Sequence, residues 1–111
     1  MAQLALNKFQ TETLEVTTSN QTAYTAPTGY TSIVLYAHVT NVTTSAATFT
    51  MTHVRSSTAT EIVKDVSVPP NDAYIPLDGK LVLETSDYVV AQAGANSTLK
   101  ILLSVLETAN A

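Results

Sequence analysis

The sequence predicts an all-β fold: a single antiparallel β-sandwich, of jelly-roll or immunoglobulin-like type. Three observations carry that expectation. Apolar residues recur at every second position through most of the chain, the period of a strand with one buried face. Thr fills many of the positions between them, and Ser plus Thr make up roughly a quarter of the residues. Thr is β-branched and sits well on the wet side of a pleat. Turn-forming residues interrupt the alternation at short intervals, and no stretch keeps a helical period with caps. A length of 111 residues fits one domain with a small two-layer core.

In chain order, residues 1–20 are expected to form an N-terminal edge strand or an extended arm, and residues 21–111 the sandwich. Leu14 and Val16 alternate with Glu15 and Thr17. After the Pro27-Thr28-Gly29 turn, Ile33, Leu35, Ala37 and Val39 share one face, and Ser32, Val34, Tyr36, His38 and Thr40 the other. Asn41 to Ala46 reads as a turn. Phe49, Met51 and His53 then oppose Thr48, Thr50 and Thr52. Ile62, Val66 and Val68 share a parity that Lys64 interrupts, through a bulge or through a lysine stem lying along the sheet. Pro69 and Pro70 cannot donate to a ladder and end that strand. Asp78-Gly79 and Gly94-Ala95-Asn96 mark two further turns. In the last segment Leu99, Ile101, Leu103 and Val105 face together, while Leu102 and Leu106 take the opposite side.

Composition narrows the function classes. Charged residues are 13% of the chain and the net charge is -4, without a Lys/Arg cluster, which argues against nucleic-acid binding. Cys is absent, so disulfide and thiolate chemistry are excluded for this chain. No apolar run approaches bilayer-spanning length, so no membrane partner is expected. "MAQLALNKFQ" lacks the basic flank and long apolar core of a signal peptide, so a product folded in the cytoplasm, whatever its final destination, is the expectation.

Chemistry-bearing groups form no recognisable set. His38 and His53 lie on predicted strands, and nothing beside them completes the three or four ligands of a zinc site. Glu61, Asp65, Asp72, Asp78, Glu84 and Asp87 are scattered, and their spacing selects no glycosidase pair. Asp78 and Asp87 read as turn residues. No serine elbow is present, and three glycines make no phosphate-cradling loop. The chain is therefore expected not to be an enzyme and to need no cofactor or metal.

The informative residues are apolar ones on the wrong side of their strands. Val34, Tyr36, Leu102 and Leu106 face away from the main inward rows. They form either a contact surface, as such clusters on a small domain do, or core covered by the N-terminal segment, and alternation does not distinguish the two. Tyr24, Tyr30, Tyr74 and Tyr88 flank predicted turns, the one sequence feature that favours a host-surface or glycan-binding module.

Two segments, "YTAPTGYTSIVLYAHVTN" and "LDGKLVLETSDYVVAQAGANSTLKILLSVLE", resemble small virion structural proteins of tailed bacteriophages, of the type found in phages of marine bacteria and cyanobacteria. The matching positions run from Tyr24 to Glu107. The resemblance implies a β-sandwich present in many copies on the virion and carries over no catalytic residue. The expected role is a head decoration or cement subunit, with tail, neck or fibre placement as the alternative. The implied partners are the major capsid protein, other virion proteins and further copies of this chain.

Overall fold

A computed structural model describes residues 7–110. Among these the protein is all-β, without a helix, and its strands form two antiparallel sheets packed face to face. Sheet A contains β1 (Asn7–Val16), β9 (Leu99–Ala109) and β3 (Tyr30–Asn41) in that spatial order. Its far edge is shared by β6 (Ala73–Tyr74) and β7 (Leu81–Leu83), which pair with opposite ends of β3. Sheet B has the order β2 (Gln21–Thr25), β8 (Tyr88–Ala93), β4 (Ala47–Arg55), β5 (Thr58–Val68). First strand pairs with last, β2 with β8, β3 with the split β6/β7 edge, and β4 with β5. That nested order is a hairpin rolled on itself, so of the two sandwich types expected the chain takes the jelly roll.

Residues 7–16 are thus an edge strand of sheet A; of the expected N-terminal arm, residues 1–6 lie outside the described residues. The core comes from the inward rows of both sheets. Phe49 and Met51 on β4, Val89 and Ala91 on β8, and Leu99, Ile101, Leu103 and Val105 on β9 are all buried. The break expected at Lys64 is a bulge. β5 slips one residue against β4 between the pairs Phe49–Val66 and Met51–Val63, and Asp65 there has a φ of 50°.

β3 departs from simple alternation. Its register against β9 shifts between Val34 and Tyr36. Ser32 and Val34 therefore point inward together with Ala37, Val39 and Asn41, and Ile33 turns out with Tyr36 and His38. Val34, expected to face outward, is fully buried in the core. Period-two counting fails at a bulge because the inserted residue inverts every face assignment beyond it.

Two polar knots tie the sheets. Near one edge the Tyr24 hydroxyl donates to the Glu107 carboxylate, Ser32 Oγ lies 2.8 Å from the same phenol oxygen, and Gln10 donates to Glu107 at 2.8 Å. Burial, reinforced by the bond to Glu107, pushes the Tyr24 phenol well above its ordinary value. In the second, the buried Asp87 Oδ2 accepts from Arg55 Nη2 at 2.7 Å, Arg55 Nε at 2.9 Å and the Glu84 backbone N–H at 2.9 Å. His53 Nε2 lies 3.2 Å from the same oxygen. The Arg55 bonds hold the Asp87 carboxyl below its ordinary range against the opposing pull of burial. Asp87 does more than make a turn: it fastens the β7–β8 connection to the end of β4.

Candidate docking surface on sheet A

The outer side of sheet A collects the side chains that alternation leaves over. Residues directly opposite on neighbouring strands share a face. The pairs Phe9–Leu106, Leu106–Ile33 and Ile33–Val82 therefore place one apolar residue from each of β1, β9, β3 and β7 in a single line. At about 4.8 Å per strand that line is about 14 Å long. Phe9 is 72% exposed and Val82 51%. Leu106 and Ile33 between them are half-buried.

The parallel line Thr13–Leu102–His38 crosses the same three long strands closer to the other end of the sheet. Tyr36, 40% exposed, stacks on His38 with ring centroids 5.9 Å apart and planes 22° from parallel. Leu102 and His38 line a shallow groove of about 640 Å³ with Thr13, Thr40, Val42 and Lys100. Among the described residues, every large apolar side chain that is markedly exposed, except Ile75, lies on this face or its margin.

Of the four residues singled out from the sequence, Tyr36, Leu102 and Leu106 fall on this one face. Val34 does not, because of the β3 bulge. Phe9, Ile33 and Val82 belong to the face and were missed. For Phe9 a signal existed, since it stands an odd number of positions from Leu14 and hence opposite to it. Ile33 carried none, because its orientation depends on the bulge.

The remaining candidates separate. His38 is in sheet A and His53 in sheet B. Asn41 is buried, its amide donating to Ser45 O and Val68 O, and it anchors the β3–β4 loop. Of the four tyrosines expected around the turns, Tyr24 is buried and Tyr74 packs on the core, so no loop cluster of aromatics forms from them.

No family model and no curated protein matches the chain. Solved structures do. One similar chain is from the disulfide-linked pili of Bacillus endospore appendages, at 8% identity and TM-score 0.58, covering 100% of this chain and 98% of that one. Another is from the T13 IBDV viral particle, at 8% identity and TM-score 0.55. That overlap covers 96% of this chain and 31% of the viral one, so this chain spans about a third of its length. A looser overlap, TM-score 0.43 at 13% identity over 89% of this chain and 60% of the other, is with a pentameric capsid protein from metagenomic phage sequences. At such identities the first two likenesses establish a shared fold.

Proposed function

We propose that this chain is a non-enzymatic structural subunit of a bacteriophage virion, a head decoration or cement protein seated on the major capsid protein through the outer face of sheet A. The observation that carries the reading is the Phe9–Leu106–Ile33–Val82 line beside Tyr36 and Leu102. An apolar face of that kind marks a surface made to be covered. Covering Phe9 alone contributes about 1–2 kcal/mol. Contacts that weak suffice when many copies bind one lattice.

The sequence resemblance to phage virion proteins supports the setting. The fold shared with the IBDV particle chain is consistent with it, as a jelly roll is a common building unit of capsids. The pilus chain shares the fold equally well, but the disulfide linkage named for those pili needs thiols, and this chain has no cysteine.

Quantifying the subunit in purified particles tests the placement. Hundreds of copies per particle are expected; a dozen or fewer moves the subunit to the neck or tail. Charged substitutions then test the face. Tyr36→Asp and Leu102→Glu are expected to lower particle incorporation at least about tenfold. Thr52→Lys, on the outer side of sheet B, is expected to leave it unchanged. Equal loss from both faces overturns the assignment of the docking side.

A further inference from the structure

We infer that β1 is a pairing edge, through which two copies of this chain join antiparallel, β1 against β1, into one continuous sheet A. This goes beyond the docking of the outer face: it uses main-chain groups at the sheet's rim and is read on the purified subunit.

A sandwich with open edges must protect them or use them. β5 is protected: two register slips against β4 and Asp65 at φ 50° break up its outer hydrogen-bonding row. β2 has five residues and a slip between Thr22 and Tyr24. β6 and β7 have two and three residues. β1 differs from all of these. It runs ten residues, pairs with β9 without a slip from Asn7–Thr108 to Val16–Leu99, and contains neither Pro nor Gly. Among the described residues no strand pairs with its other side.

The apolar line points to the same edge. Its most exposed member, Phe9, stands on β1 at the open rim, where an added strand would lengthen the line and cover the ring's bare flank.

Charge selects the register. A twofold axis perpendicular to the sheet keeps both outer faces on one side, so each residue meets one of its own parity. Centring the axis on Glu12 would oppose two carboxylates. Centring it on Thr11 would set Lys8 against Leu14 and Glu15 against Asn7. Centring it on Gln10 sets Lys8 of each copy against Glu12 of the other, twice over, and brings the two Phe9 rings onto a cross-strand diagonal. Lys8 is exposed and Glu12 half-buried, so neither charge must leave water completely.

Sedimentation equilibrium of the whole chain tests the pairing. The wild type is expected to be a reversible dimer. Lys8→Glu, at an exposed position, should weaken it about tenfold or more by turning two attractions into two repulsions. The charge-swapped Lys8→Glu/Glu12→Lys chain should recover most of the loss. Hydrogen exchange should show β1 amides gaining protection as concentration rises. A wild-type chain that stays monomeric, an unchanged dimer constant in Lys8→Glu, or no recovery in the swap overturns the proposal. Failure here with particle incorporation intact leaves the docking face standing.

Discussion

Across the outer side of sheet A, one line of directly opposed residues reads Phe9, Leu106, Ile33, Val82. The matching line across the outer side of sheet B reads Thr22, Val90, Thr52, Glu61. Both lines sit on the same kind of pleat and back onto the same core. The sheet B side continues with Thr50 and Gln92 and forms a polar trough of about 820 Å³. Its hydroxyls and amide keep their hydrogen bonds by facing water, so nothing need cover it. The sheet A side also carries hydroxyls, at Thr11, Thr13, Thr40 and Ser104, but sets among them the exposed apolar line and a stacked aromatic pair. One sandwich thus carries a mostly polar face and a face on which an exposed apolar line is set among polar residues.

The contrast breaks most readily at the β3 bulge, which decides what sheet A shows. Val34→Asp is expected to cost about 4 kcal/mol or more, because it buries an unpaired carboxylate. Tyr36→Asp, two residues on, is expected to cost less than about 1 kcal/mol. Urea denaturation of the two variants checks this. Equal stabilities would show that the bulge lies elsewhere and that the face has been drawn from the wrong residues.

Next in size is the Asp87 knot at the end of sheet B. Its carboxyl titrates below the ordinary 3.8 in the folded chain, so the unfolded chain binds the proton first as pH falls. The stabilisation is therefore complete well above pH 4 and is lost as pH falls through the lowered folded value. Asp87→Asn is expected to cost about 2 kcal/mol at pH 7, since two charge-assisted bonds from Arg55 are weakened. The gap between variant and wild type should narrow as pH falls through the lowered folded value. A gap that is constant with pH would mean the carboxylate's charge is not what holds this end.

The smallest effect is at Gly94, on the rim of the polar side. A Cβ built there would lie 2.2 Å from Thr48 Oγ1. Gly94→Ala is expected to cost about 1–2 kcal/mol as the threonine is forced aside. Adding Thr48→Ala should return most of it, because the Oγ1 is the close atom and the Thr48 Cβ lies 3.5 Å away. Thermal unfolding of the single and double variants measures the recovery.

Much of the fold was legible in the chain. The alternation of Leu99, Ile101, Leu103 and Val105, the Thr row of β4 and the stops at Pro69-Pro70 and Asp78-Gly79 are local signals, and the described strands follow them. The bulge on β5 announced itself because Lys64 broke a visible parity. The bulge on β3 did not, because Ile33, Val34 and Leu35 are all apolar and either parity reads equally well. The outward leucines of β9 were legible for the converse reason: Lys100 and Ser104 fix the polar parity on which Leu102 and Leu106 stand.

By itself, then, the sequence determined that the chain forms strands, where most of them stop, and that it carries more apolar side chains than one inward row can hold. Those properties depend on neighbours along the chain, on side-chain period and on turn geometry. Tertiary structure alone decided that the sandwich is a jelly roll, that Val34 is inside while Ile33 is outside, and that Phe9, Leu106, Ile33 and Val82 fall into one line. These depend on which distant strands pair and in what register, a choice made by the whole core at once.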